Sequence, residues 1–78
     1  MIIDIRDPEK YAKGHLDGAV NIPFFSLYFH PENYLEKSKK YILYCQSGSN
    51  SFLLVTYLNK LGYHCVNLEG GYAKNLLK

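Results

Sequence analysis

Apolar positions along this chain fall into short dense runs separated by polar turns, not into one long periodic stretch. Residues 2–5, "IIDI", are an apolar run broken by Asp4, the pattern of a buried strand that ends at Arg6–Asp7–Pro8. Asp7 is an N-cap residue type and Pro8 suits a first helical position. Residues 8–13, "PEKYAK", are therefore predicted to form a short helix stopped by Gly14. "GHLDGA" reads as a turn, and "VNIP" (20–23) as a second strand ended by Pro23. Phe24, Phe25, Leu27, Tyr28 and Phe29 are too dense for a clean period. They predict an irregular or helical turn up to His30–Pro31, then a second helix fragment over 32–37. "YILYC" (41–45) is a third buried strand. Over 51–61, Phe52, Leu53, Val55, Leu58 and Leu61 recur at helical spacing, with Ser51 placed to cap the start and Gly62 the end. "HCVNLEGG" (64–71) reads as a strand and a glycine turn, and "YAKNLLK" (72–78) starts a last helix.

Strands and helices alternate with short connections. That order predicts an α/β fold, a small parallel sheet of about four strands flanked by helices. With 78 residues the chain is one domain, residues 1–78. At that size it buries only roughly 60–65% of its unfolded surface, so its stability is modest. The 47% hydrophobic and 21% charged content is that of a globular chain. A net charge of +2 without a run of five basic residues gives no nucleic-acid reading, and "EKSKK" (36–40) is a solvated turn. No stretch approaches ~18 consecutive apolar residues, so no membrane span is expected. Nor is there a charged-then-apolar leader. The expected compartment is the cytoplasm.

Chemistry collects at the end of the third strand. In a parallel sheet, sites form at the carboxyl ends of the strands. Cys45 stands at one such end, and "CQSGSNS" leads from it into a helix. Free backbone N–H groups and the helix dipole at that point favour a thiolate. Gly48 can take a positive φ, and the serines and Asn50 hold tight turns. A reactive cysteine in an anion-cradling loop is one reading of these residues, and a structural cysteine is the other. Cys65 sits near the amino end of the next strand, on the opposite rim, which places a Cys45–Cys65 disulfide out of reach; it reads as a small core residue. Two cysteines without paired ligand spacing make no zinc site, and no metal or cofactor is expected.

Two segments together resemble the rhodanese domain. "IDIRDPEKYAKGHLDGAVNIP" (3–23) is similar to the family's opening motif, a strand ending Asp-x-Arg followed by Gly-His-x-x-Gly-Ala-x-Asn-Ile-Pro. "YCQSGSNS" (44–51) with "LGYHCVNLEGGY" (61–72) is similar to its Cys-x-x-Gly active loop and Leu-x-Gly-Gly strand. The resemblance implies a sulfurtransferase. Cys45 would carry a sulfane sulfur as a persulfide, taken from a small anionic donor such as thiosulfate and passed to cyanide, a thiol or a protein cysteine. Gln46, Ser47, Gly48, Ser49, Asn50 and Ser51 would form the substrate-binding loop. Asp4 and Arg6 would pair with each other, at the surface, or brace that loop, and His15 would stabilise its turn.

The chain also departs from the family pattern. Asn50 stands where many members carry an arginine that would hold an anionic donor, Lys10 replaces a glutamate, and Asn75 replaces a tryptophan. The family's usual first strand and helix, upstream of Ile2, are lacking. The last strand (64–68) would then be a bare edge that invites pairing with another chain, which predicts either a weak homodimer or a marginal monomer. Two rivals follow. A Cys-x5-Arg phosphatase or arsenate-reductase loop would need arginine at position 51, which is Ser51. A catalytically weak module that binds a partner protein or a regulatory anion would fit Asn50 and the short amino terminus.

Overall fold

A computed structural model describes residues 1–76. Its elements alternate as the hydrophobic pattern predicts: β1 (Ile2–Asp4), α1 (Pro8–Lys13), β2 (Ala19–Asn21), α2 (Phe24–Phe29), a 3-10 turn (Pro31–Asn33), β3 (Lys40–Tyr44), α3 (Ser49–Lys60), β4 (His64–Asn67) and α4 (Gly71–Asn75). All four strands are parallel, in the order β2-β1-β3-β4. The register pairs Ile3 with Leu43 and Tyr41 with Cys65. Those four side chains share one sheet face and build the core with Leu54 and Leu58 of α3. A fully buried leucine such as Leu58 contributes roughly 1.5–3 kcal/mol.

Local chemistry explains where the elements start and stop. Pro8 occupies the first turn of α1, but the Asp7 side chain makes no cap bond. α1 buries no residue of its own. It is tied down by the Tyr11 hydroxyl, which donates to the Ala19 carbonyl at 2.6 Å. Gly14 ends α1 in an extended conformation. A Cβ there would lie 2.6 Å from the Tyr72 hydroxyl, so a side chain at this position would displace the tip of Tyr72. The crowded aromatics resolve into two i,i+4 rows on α2. Phe24 stacks on Tyr28 and Phe25 on Phe29, while Leu27 faces the core.

Four expectations are corrected. The helix fragment over 32–37 is only the 3-10 turn. The chain leaves helical geometry there to bury Leu35 and to let the Glu36 N–H donate to the Tyr41 hydroxyl at 2.8 Å. Ser51 does not cap α3. Gly48 is the N-cap residue, and Ser51 lies inside the first turn. The last helix begins at Gly71, and residues 77–78 of the expected 72–78 lie outside the described residues. Finally, β4 is the expected edge strand but is covered at one position. The outward N–H and C=O of Cys65 are both taken by the Asn59 side chain, at 2.8 and 2.9 Å, as a partner strand would take them. Among the described residues no helix is long and apolar enough to cross a membrane.

Candidate active site at the carboxyl rim of the sheet

β3 delivers Cys45 one residue past its last paired position, and the chain turns through residues 46–48 into α3. Gly48 makes the turn with φ +98°, left-handed backbone that a side chain would strain. The turn folds the loop back over the sulfur. The Gly48 and Ser51 backbone N–H groups donate to Cys45 Sγ at 3.1 and 3.4 Å, and the Ser51 hydroxyl approaches it at 3.4 Å. The start of the 12-residue α3 adds its dipole to the same point. Burial alone would raise the Cys45 pKa. The hydrogen bonds from Ser51 and Gly48 outweigh it and hold the thiol below its ordinary value. Cys65 has burial without those donors, and its pKa is pushed up to about 11. The two cysteines are free and stand at opposite ends of their paired strands. The thiolate form is thus favoured at Cys45 and disfavoured at Cys65.

A second layer fixes the loop from behind. Gly71 packs its backbone on the loop, and the N–H groups of Tyr72 and Ala73 donate to the Cys45 and Gln46 carbonyls at 2.9 and 3.0 Å. Asp4 and Arg6 pair with each other and also brace the loop. The Arg6 guanidinium grips the Asp4 carboxylate, with its shortest contact 2.7 Å. It also donates to Gln46 Oε1 at 3.2 Å and to the Gly14 carbonyl at 2.6 Å, and lies 4.1 Å from the Tyr72 ring centroid. Of the alternatives, the loop brace holds and the surface pair does not: Asp4 is 0% and Arg6 7% exposed. Burial would raise the Asp4 pKa, but the bonds from Arg6 hold it below the ordinary carboxylate value. Tyr44, next to Cys45 in sequence, is pushed up to about 12 by burial, and its hydroxyl accepts from the Leu16 N–H.

Cys45 lines a cleft of roughly 500 Å3. Gln46 and Asn50 line it from the loop. Ile5, Pro23, Phe24 and Phe25 form an apolar wall, and Arg6, Asp7 and Lys10 supply its charges. Ser47, Gly48 and Ser49 line a separate groove on the loop's outer side. Of the six expected loop residues, two share the cleft with Cys45, and Gly48 and Ser51 touch the sulfur. His15 is stacked on Tyr11 and bonded to its carbonyl, away from the cleft. The wall residues and Asn67 were not singled out from the sequence. Pro23 and Phe24 follow β2, and Asn67 ends β4, so the carboxyl-rim rule applied to every strand would have found them.

The family model for the Rhodanese-like domain matches residues 1–76. The chain belongs to this family. It is 37% identical over 70 residues to a putative sulfurtransferase, YtwF, of Bacillus subtilis, covering 90% of this chain and 67% of that protein. It is 34% identical over 74 residues to a tRNA sulfurtransferase of Desulfurococcus amylolyticus, covering 95% of this chain but 14% of that protein. Among solved structures, a rhodanese-related protein from Thermoplasma volcanium superposes with a TM-score of 0.87 at 32% identity, covering 97% of this chain and 75% of the other. The rhodanese-like chain thus spans about two thirds, or much less, of these curated relatives' length. Its Asp4–Arg6 brace and Cys45 loop are the segments that carried the resemblance in sequence.

Proposed function

We propose that this rhodanese-like domain is a sulfurtransferase that carries sulfane sulfur on Cys45. The Cys45 thiolate attacks the outer sulfur of a donor such as thiosulfate. The donor's S–S bond breaks, sulfite leaves with the electron pair, and a Cys45 persulfide remains. A nucleophilic acceptor, cyanide or a thiol, then attacks the terminal sulfur and the Cys45 thiolate is regenerated. The observation that carries this reading is the set of three donors on Cys45 Sγ, all at the start of α3 and beside the cleft. The two backbone N–H groups among them are preset, and they stabilise negative charge on sulfur with no reorganisation at the moment of reaction. The cleft's apolar wall suits a thiol acceptor, free or on a protein, as well as cyanide. The sulfurtransferase names of the relatives support the same reading.

The test is thiocyanate production from thiosulfate and cyanide. The domain is expected to turn over, Cys65→Ala to keep the rate within about twofold, and Cys45→Ala to lose it by at least ~10³-fold, as for loss of a covalent nucleophile. Equal turnover by the Cys45→Ala variant and the parent would overturn Cys45 as the sulfur carrier, and no turnover by a folded parent with any sulfane donor would favour a module that only binds a partner or anion.

A further inference from the structure

Asn67 takes no part in the sulfur chemistry above, yet its side chain bonds to both residues that donate to the sulfur, Gly48 and Ser51. It closes β4 beside the active loop. Its Nδ2 donates to the Gly48 carbonyl at 3.2 Å, and its Oδ1 accepts from the Ser51 hydroxyl. The Gly48 carbonyl can only accept, so it decides which end of the amide faces it. Oδ1 is thereby turned toward Ser51. The fully buried Ser51 hydroxyl has one proton and two acceptors in reach, Asn67 Oδ1 and Cys45 Sγ.

We propose that Asn67 is a positioning residue that holds the Ser51 proton while Cys45 Sγ is uncharged and releases it to Sγ when charge appears there. In the thiol state, the Cys45 S–H donates to Ser51 Oγ and the Ser51 O–H donates to Asn67 Oδ1. When the thiol proton leaves to solvent, the Ser51 O–H turns onto Sγ, joining the Gly48 and Ser51 N–H groups. The serine proton rotates and is never transferred. The last step rests on the sulfurtransferase reading. In the persulfide the charge lies on the terminal sulfur, so the Ser51 hydroxyl turns back to Asn67. As an acceptor attacks, the S–S bond breaks, the electron pair moves onto Sγ, and the hydroxyl swings to meet it. A bond made as the charge develops, and absent before, lowers the barrier.

The charged groups around Cys45 are few. Arg6, with Asp4 behind it, Asp7 and Lys10 belong to its cleft, and Glu69 lies across the outer groove of the loop. α3 and β4 present neutral Ser51 and Asn67. The measurement is the Cys45 pKa, read from the pH dependence of alkylation by iodoacetamide, with intact mass counting the labels. Asn67→Ala removes the competing acceptor. It is expected to lower the pKa by about half a unit to one unit, or roughly three- to tenfold in thiolate below it. With Ser51→Ala already in place, the same substitution is expected to shift nothing. A purely structural role predicts the reverse sign, because a loosened loop draws the Gly48 N–H off the sulfur and raises the pKa in both backgrounds. A raised or unchanged pKa in Asn67→Ala, or an equal shift in both backgrounds, overturns the proposal. Asn67→Leu, closer in volume and also without an acceptor, serves if the alanine variant does not fold. The readout needs no sulfur donor, so it can fail while persulfide formation succeeds, or hold while that reading fails.

Discussion

Arg6→Met is expected to destabilise the domain by about 3–5 kcal/mol, because it strands a buried carboxylate. Asp4 is 0% exposed, and the Arg6 guanidinium supplies three of the hydrogen bonds to it; the fourth comes from the Arg6 backbone N–H. Methionine keeps much of the stem's volume and none of its charge. A domain of this length has only roughly 4–12 kcal/mol to lose. Urea unfolding at neutral pH would measure the difference. The effect depends on pH in a definite direction. In the parent, Asp4 has a folded pKa below its unfolded one. Its contribution is therefore present above about pH 4 and is lost as pH falls through the folded value. In the variant the guanidinium bonds are gone and only the backbone N–H of residue 6 still donates to Asp4, so burial weighs more and Asp4 protonates more readily in the folded state. The gap between the two proteins should narrow as acid is added, first as the variant's Asp4 protonates and then, below about pH 4, as the parent loses its own contribution. A gap independent of pH would mean the loss comes from stacking on Tyr72 and not from the ion pair.

Gly71→Ala is expected to cost more than about 2 kcal/mol and to loosen the active loop at once. Gly71 has φ +59°, where a side chain costs roughly 1–2 kcal/mol. A Cβ there would also press on the Cys45 carbonyl oxygen and lie 2.9 Å from the Gln46 carbonyl. Both neighbours are backbone, so they can yield only by moving the loop. The Tyr72 and Ala73 bonds to the loop would weaken, the donors would draw back from Sγ, and the Cys45 pKa should rise. Gly18→Ala is the internal control. Gly18 has φ +82° but nothing within 4 Å of a Cβ, so it should lose only the conformational part. Equal losses in urea melts of the two variants would show that close packing of Gly71 on the loop contributes nothing.

Much of this was legible in the residues. Short apolar runs broken by Pro8, Gly14, Pro23 and Gly62 placed the four strands to within about two residues, because strand ends are set by local turn chemistry. The ring of donors around Cys45 was legible from its place between a strand and a helix start, and Cys65 as core from its place at the other rim. The details that failed are tertiary. Nothing local says that Leu35 must reach the core and so cut a helix short. Ser51 has the composition of a cap, but Gly48 takes that place because the turn needs a left-handed residue, which frees Ser51 for the sulfur. The Asn59 bonds that cover the edge of β4, and the Asn67 bonds to Ser51 and Gly48, join residues 6 to 19 positions apart and leave no periodic signal.

The central claim is that Cys45 carries the transferred sulfur. It is tested most directly by incubating the protein with a sulfane donor, thiosulfate first, and measuring intact mass beside Cys45→Ala. The account predicts a gain of about 32 Da, one sulfur atom on the nucleophile, reversed by reductant and absent from the variant. The same gain in Cys45→Ala, or none in a folded parent with any donor, would contradict it.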